Sequence, residues 1–317
     1  MRYLITGGAG FIGSNIVIEL VRRGEDVTVL DIFSTGREEN IASVRDEISV
    51  IRGDIRDYET VTKAVKGMDH VVHHAAIASV ESSIEDPVGS SEVNIGGTLN
   101  LLEACKREGV KRFVLASSAA VYGNLQSLPK TEDSELQTLS PYAASKLTSE
   151  HYCRIYHDLF GLETVALRYF NVFGRNQDPA SEYAAVIPKF INALLLGKRP
   201  VIYGDGLQTR DFVFVDNVVS ANLLAVQSKD AAGKVINIAS GRKQTLLDLL
   251  AALQELVGVD VEPLFEKEKP GDIRHSVADI SKAAKLLGYD IVTDFKEGLR
   301  HTIEYFKTMI PRQARAR

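Results

Sequence analysis

The chain is poor in the residues that mark several large protein classes. Among 317 residues there are two cysteines, Cys105 and Cys153. Two are too few for a disulfide framework, and their spacing is not that of a zinc site. Both fall in helix-like stretches and read as buried free thiols. No apolar run approaches the roughly 20 residues that span a bilayer. The apolar N-terminus runs directly into a glycine turn, which argues against a signal peptide and makes the cytoplasm the expected location. No charge dominates: the net charge is −5, so neither nucleic acid nor a membrane surface is an expected partner. Internal repeats and low-complexity linkers are missing too. What remains, 45% apolar and 25% charged, is the composition of a soluble globular protein. The length suits one large or two modest domains, each with a full core.

The first thirty residues carry the strongest local signal. Arg2 to Thr6 reads as a strand, a helix runs through Arg23, and Val27 to Leu30 is a second strand ending at Asp31. Between strand and helix lies Gly7-Gly8-Ala9-Gly10-Phe11-Ile12-Gly13. Gly8, Gly10 and Gly13 fit G-x-G-x-x-G, with Gly7 one residue earlier. Such glycines let the backbone turn tightly and approach a pyrophosphate at a helix N-terminus. Asp31 stands where an acid accepts from both ribose hydroxyls, which favours NAD and repels a 2′-phosphate. Arg37 keeps NADP open as the alternative. The bland reading is a purely structural glycine turn.

More βα units follow. Ile48 to Arg52 is a strand, and Asp54 and Ile55 lie in the turn after it. Asp54 could accept from an adenine amino group or cap the helix after Tyr58. Asp69 to His74 is a strand leading into Ala75 and Ala76, small residues that let a cofactor pass close. His73 and His74 have no partner at metal spacing and read as structural. A helix carrying Asn94 and Thr98 runs to about Glu108. The strand Arg112 to Ala116 ends in Ser117 and Ser118, and Thr164 to Arg168 is another strand. This alternation predicts a Rossmann-type, doubly wound parallel sheet.

A helix over about Pro141 to Leu159 places Tyr142 four residues ahead of Lys146, on one face. The lysine cation is expected to lower a phenol pKa that is about 10 when unperturbed. A tyrosine so tuned moves a proton to and from a hydroxyl. Alone, the pattern is weak, because Tyr-x-x-x-Lys arises by chance.

After Asn171 the rhythm changes. Gly174 to Tyr183 reads as a loop, Ala184 to Leu196 as a helix interrupted by Pro188, and Pro200 to Tyr203 as a short strand. Arg210 to Asp216 reads as one strand, Lys234 to Ala239 as another. Thr245 to Val257 is an amphipathic helix with Thr245 and Asp248 as a near capping box. The expected division is a dinucleotide-binding domain of residues 1–171 plus about 212–241, and a smaller mixed α/β substrate lobe of 172–211 plus 242–317. Pro311 to Arg317 reads as a disordered solubilising tail.

Four motifs in order resemble the extended short-chain dehydrogenase/reductase family: Thr6 to Gly13, Ser117-Ser118 before Val121-Tyr122-Gly123, Tyr142-x-x-x-Lys146, and Arg168-Tyr169-Phe170-Asn171. Within it, Gln177-Asp178-Pro179, Tyr183 to Lys189 and Gly271 to Asp279 are similar to nucleotide-sugar 4-epimerases of the UDP-N-acetylglucosamine branch. The resemblance implies that Tyr142 takes the 4-hydroxyl proton, Lys146 lowers its pKa and holds the nicotinamide ribose, and Ser118 hydrogen-bonds the same hydroxyl. NAD would borrow and return a hydride at carbon 4 and stay bound. The implied cofactor contacts are Gly7, Gly10, Phe11, Ile12, Gly13, Asp31, Asp54, Ile55, Ala75, Ala76, Asn94, Tyr142, Lys146 and Tyr169. The implied substrate contacts add Ser79, Asn171, Gln177, Val186, Tyr203, Arg210 as diphosphate clamp, Lys269, Asp272 as uridine-ribose acceptor, and Ser276. The plain alternative for Arg210 is a surface pair with Asp211.

Ser276 matches a position that gates the pocket at carbon 2, where serine leaves room for an N-acetyl group. Ala119 stands where N-acetyl-preferring relatives have serine, which relaxes the preference toward plain UDP-hexoses. The implied activity is therefore interconversion of UDP-glucose and UDP-galactose together with their N-acetylated counterparts. Alternatives are an epimerase restricted to UDP-N-acetylglucosamine, a UDP-glucuronate epimerase or decarboxylase, and an NAD-sensing Rossmann scaffold. Ala119 and Ala120 replace the acid and base a 4,6-dehydratase needs. The family's homodimer, a four-helix bundle, would use the helix after Ser91 and the one opening at Tyr142.

Overall fold

The computed structural model describes residues 1–125, 127–178, 186–268 and 274–309. Strand β1 (Arg2–Thr6) turns through the glycines into α1 (Phe11–Arg22), and β2 (Asp26–Asp31) follows. Next come β3 (Ser49–Arg52), α2 (Tyr58–Val65) and β4 (His70–His73). Two short helices, α3 (Val80–Glu85) and α4 (Pro87–Ser91), lead through a π turn at Glu92–Gly96 into α5 (Gly97–Glu108). The half then closes with β5 (Arg112–Ser118), α6 (Pro141–Phe160) and β6 (Glu163–Tyr169).

The second half is more broken. It contains β7 (Asn171–Phe173), α7 (Val186–Leu195), β8 (Val201–Tyr203), β9 (Thr209–Arg210) and β10 (Phe212–Phe214). Then come α8 (Val215–Gln227), β11 (Lys234–Ile238), β12 (Gln244–Thr245), α9 (Leu246–Val257) and β13 (Leu264–Glu266). Helices α10 (Ser281–Leu287) and α11 (Phe295–Met309) end the described chain. No helix among the described residues is long and apolar enough to cross a membrane.

Seven parallel strands form the central sheet in the order β11-β6-β5-β4-β1-β2-β3. Runs such as Phe113-Val114-Leu115 and Tyr3-Leu4-Ile5 are buried along their whole length, as strands covered on both faces must be. One face packs α1 and α8 through Ile16, Val17, Leu20, Val218 and Ala221. The other packs α2, α5 and α6 through Val61, Leu101, Leu102, Cys105 and Cys153. Both cysteines are buried free thiols, as expected. The order reverses between β1 and β4. A crevice opens there at the strands' carboxyl ends, where such sheets take ligands.

Three expectations change. Arg210 to Asp216 is not one strand. The chain bends at Asp211 between β9, which pairs with β12, and β10, which pairs with β7. Val215 and Asp216 already open α8. Its β-branched start disguises a helix, because Val at helical positions costs little once packing rewards it. Pro188 does not interrupt α7. It occupies the third position of the described helix, inside the first turn, where a missing N–H is harmless. Ala184 and Ala185 lie outside the described residues, as does the Pro311 to Arg317 tail. The Thr245/Asp248 capping box forms in full: Asp248 N donates to Thr245 Oγ1 at 2.9 Å and Thr245 N to Asp248 Oδ2 at 3.0 Å.

Candidate active site

Three elements bring the expected catalytic side chains together. Ser140 caps α6 by accepting from Ala143 N at 3.1 Å, and Pro141 fills the first helical position, a site suited to proline. Tyr142 N donates to Ser83 Oγ at 3.0 Å, so α3 anchors the helix start. One turn on, Lys146 Nζ donates to the Ala116 carbonyl of β5 at 2.8 Å and lies 5.8 Å from the Tyr142 ring centre. Ser118 ends β5, its Oγ accepting from Ala120 N at 3.1 Å, and it stands close enough to the Tyr142 phenol to favour the ionised form.

The electrostatics differ from the expectation. Burial pushes the Tyr142 phenol up, and Ser118 only partly pulls it back. The Lys146 ammonium, which was to lower it, engages the Ala116 carbonyl instead. Burial pushes Lys146 down to about 8, against the opposing charge of Glu150. In the protein alone, then, the tyrosine is neutral and the lysine charged at pH 7. Desolvation is the largest cause of both shifts because both groups leave water.

The crevice fits a dinucleotide. Gly7 has φ +66°, and a Cβ there would sit 2.6 Å from Ala75 N; one on Gly13 would sit 2.2 Å from the Gly7 carbonyl oxygen. Gly10 caps α1 with no side-chain bond, so no side chain competes with an anion for the first-turn amides around Phe11 and Ile12. Ala75, whose N donates to Thr6 Oγ1 at 3.2 Å, and Ala76 form the facing wall. Asp31 ends β2 almost fully buried, accepting from Ala9 N at 2.9 Å and Phe33 N at 2.7 Å. Arg37, the residue that left NADP open, is ion-paired with Asp178. His74 Nδ1 and Gln177 Oε1 are among the buried polar atoms with no partner among the described residues.

Other expected cofactor contacts are drawn into the scaffold. Asp54 does not cap α2. Asp57 does, accepting from Glu59 N at 3.0 Å, while Asp54 is held by the Arg56 side chain at 2.6 and 2.9 Å and by its amide at 2.8 Å. Ile55 is buried against Gly97. Asn94 spends its amide on Ile77 O, Ile77 N and Ser145 Oγ, bracing the wall on α6. Tyr169 donates to Asn222 Oδ1 at 3.0 Å and stacks on His74, whose Nε2 lies 3.1 Å from its hydroxyl. His73 bonds Thr6 and Thr98. Burial pushes both histidines well below the usual range. The described residues contain no cluster of metal-ligating side chains.

On the substrate side, Asn171 opens β7 with N and Nδ2 both bonded to the Asp211 carbonyl, at 3.1 and 3.2 Å. Arg210 ends β9, its Nη1 donating to Thr209 O at 3.0 Å. Ser276 N donates to the same Thr209 carbonyl at 3.1 Å, so the clamp and the gate share one anchor. Ser79 caps α3 through Ser82 N at 3.0 Å. Val186 opens α7, and Tyr203 ends β8 at the surface. Lys269 and Asp272 lie outside the described residues. Asp211 is no surface partner of Arg210: it is fully buried.

Sequence reasoning missed a buried network behind Lys146. Glu150 forms a two-pronged pair with Arg168, at 2.9 and 2.7 Å, and accepts from Ser117 Oγ. Arg168 continues to Tyr122 Oη at 2.9 Å, and Tyr122 to Asn237 Oδ1 at 2.6 Å. Glu150 at four residues past Lys146, and an arginine inside an apolar strand, were the available signals.

Fold and site together define a dinucleotide-dependent enzyme that moves a proton at a substrate hydroxyl. Comparison with known proteins narrows this. Residues 3–239 match the model of the NAD dependent epimerase/dehydratase family, and the chain belongs to that family. It is 38% identical over 311 residues to a UDP-glucose 4-epimerase of Mycolicibacterium smegmatis, covering 97% of this chain and 99% of that one. It is similar in structure to a UDP-N-acetylglucosamine 4-epimerase from Methanobrevibacter ruminantium solved with UDP-N-acetylmuramic acid (TM-score 0.94, 41% identity, 98% and 99% covered). It also resembles a Thermus thermophilus UDP-glucose 4-epimerase solved with NAD (TM-score 0.88, 40% identity, 98% and 100% covered).

Two predictions follow from the pair. Tyr142→Phe should lower kcat by about 10²–10⁴-fold while NAD content is unchanged, because only the proton carrier is lost; steady-state kinetics and cofactor quantitation check this. Lys146 holds its proton less tightly folded (about 8) than unfolded (10.5). Between those values the unfolded chain binds more protons, so rising pH favours the folded state. From pH 8 to 10.5 the wild type should gain up to about 3 kcal/mol on Lys146→Met in urea unfolding. A stability difference that stays flat across that range refutes the assignment.

Proposed function

We propose that this protein is an NAD-dependent UDP-hexose 4-epimerase that acts on both plain and N-acetylated sugars. The observation that carries the reading is the meeting of Ser118, Tyr142 and Lys146 at the end of β5, beside a dinucleotide crevice, with Ala119 and Ala120 next in line. That set serves proton transfer at a hydroxyl. It offers no second acid and base for eliminating water.

NAD, held by the glycine turn and Asp31, supplies the acceptor and then the donor of the hydride at sugar carbon 4. In the loaded enzyme Tyr142 acts as the phenolate, its own proton released to solvent beside the positive charges of Lys146 and the bound nicotinamide; it takes the 4-hydroxyl proton and later returns it. Ser118 hydrogen-bonds the same oxygen and fixes its direction. Lys146 supplies a buried positive charge close to the phenol, whose effect grows as the crevice loses water. Between the two transfers the 4-keto sugar turns over in the pocket. No electrons are gained or lost overall, so the reaction is an isomerisation.

Arg210 and Asn171 hold the diphosphate, an arginine fork suiting phosphate; the roles the resemblance implies for Lys269, a second phosphate contact, and for Asp272, acceptor of the uridine ribose, belong to the same reading. Gln177, whose buried oxygen has no partner among the described residues, belongs to the same site in this reading, as do Ser79, Val186 and Tyr203. Ser276 leaves room at carbon 2, and Ala119 withholds the hydroxyl that would reward an acetamido group. The dinucleotide domain is residues 1–171 plus about 212–241, and the sugar lobe is the rest.

A homodimer through the α5–α6 face belongs to the same reading. Its support is the exposed row Ile155, Leu159 and Phe160 on α6, with Ile84 and Val88 exposed on α3 and α4, the helices that lead into α5. The Leu159→Asp variant should run as a monomer at concentrations where the wild type runs as a dimer, measured by light scattering; equal masses would rule this interface out.

UDP-glucose, UDP-N-acetylglucosamine and UDP-glucuronate incubated separately with the purified protein, without added cofactor, should give 4-epimers of the first two by proton NMR. Turnover of none removes the epimerase reading. Ser276→Tyr should lose the acetylated substrate by more than about tenfold relative to the plain one, because overpacking strikes the larger group. Equal loss on both contradicts the gate.

A further inference from the structure

The bend between β9 and β10 carries a carboxylate that the proton-transfer chemistry does not use. Asp211 is 0% exposed. Its Oδ1 accepts from Ser240 N at 2.8 Å and Ser240 Oγ at 2.6 Å; its Oδ2 accepts from Gly241 N at 3.0 Å and Ala278 N at 3.1 Å. All four donors are neutral. A buried charge is costly unless it is fully hydrogen-bonded, and here the bonds come from two distant segments. One is the turn that leaves β11 at the edge of the central sheet. The other is the 274–278 segment, which contains Ser276.

The same residue's carbonyl accepts both hydrogen bonds of Asn171, from N and Nδ2. Its neighbour on the N-terminal side is Arg210, and Thr209 beside that bonds Arg274 O and Ser276 N through its own N and O. Residue 211 is thus where the three polar groups assigned to the sugar nucleotide are tied to one another and to the NAD-binding sheet. A surface ion pair with Arg210 would leave no such geometry. Four short bonds into one carboxylate are also directional. An amide of the same shape would turn two donors against N–H groups that already donate.

We infer that Asp211 is the positioning residue of the diphosphate site: its carboxylate pins Arg210 and the Ser276 segment in register across the substrate cleft. The inference rests on the UDP-sugar reading above. It adds that affinity for the nucleotide depends on a residue that never touches it. Loss of the pin lets the Arg210 backbone drift, and a displacement of about 1 Å at a two-pronged phosphate contact is enough to lose it.

A double-mutant cycle tests this, with UDP itself as the probe, titrated calorimetrically into NAD-loaded wild type, Asp211→Asn, Arg210→Ala and the double variant. Asp211→Asn and Arg210→Ala should each weaken UDP by about tenfold or more, and Asp211→Asn should add at most about 3-fold in the Arg210→Ala background, because groups acting through one another are not additive. Losses that multiply in full, or an unchanged affinity in Asp211→Asn, overturn the proposal. If Asp211→Asn does not retain NAD, Ser240→Ala removes a single donor. It should weaken UDP by about 2–5-fold, an effect that vanishes with Arg210→Ala; no weakening overturns the proposal. Wild-type protein that fails to bind UDP overturns the UDP-sugar reading and this inference together. Wild-type binding with additive losses overturns this inference alone.

Discussion

The ion pair of Glu150 with Arg168 is the interaction on which the active-site geometry depends. Both side chains are at most 4% exposed. Burying two charges gains little net stability, but removing either partner costs about 3–5 kcal/mol because the other is stranded. The pair joins α6 to β6. Through Ser117 it reaches β5, and through Tyr122 and Asn237 it reaches β11. Helix α6 therefore has one register against three neighbouring strands of the sheet. Tyr142 and Lys146 inherit that register, so Lys146 meets the carbonyl of Ala116 while Glu150, one turn later, meets the hydroxyl of Ser117. Two successive residues of one strand hold two successive turns of one helix.

This rigid seat also sets the protons. A lysine and a tyrosine held together in water would lower each other's cost of ionisation. Held in the crevice, both lose hydration, and the phenol rises while the ammonium falls. The resting protein thus keeps the proton on Tyr142, with a charged neighbour in place. A site in that state has its electrostatic support pre-arranged, and the phenol gives up its resting proton before it can act as a base. The chemistry it performs then depends on what enters the crevice.

Much of the architecture was legible from local spacing. The glycines between β1 and α1, the acid ending β2, the Thr245 cap and the Tyr142/Lys146 spacing all depend on neighbours within one or two turns. Backbone sterics and helical periodicity leave such signals in the chain itself. The misreadings share a different cause. Asp54 and Asp57 look alike as helix caps, and only the position where α2 begins separates them. The alternative that made Asp211 half of a surface pair could not be dismissed from the sequence, because its four donors lie about 30 and 67 residues away. The opening of α8 looked like strand because Phe-Val-Phe-Val carries no periodic signal of its own.

The sequence by itself determined that a dinucleotide turn, a doubly wound sheet and a tyrosine–lysine pair exist, since each is encoded by glycine's freedom at positive φ or by repeats of two and 3.6 residues. Only the tertiary structure decided which polar residues face the crevice and which brace it. Asn94 ties Ile77 to Ser145, Glu150 ties α6 to β6, and Asp211 ties the β9–β10 bend to Ser240, Gly241 and Ala278. Their roles come from burial and from hydrogen-bond partners distant in the chain, and neither quantity exists until the chain has folded. The direction of the Tyr142 shift belongs to the same class: spacing set the lysine beside it, and desolvation by the whole fold decided which effect won.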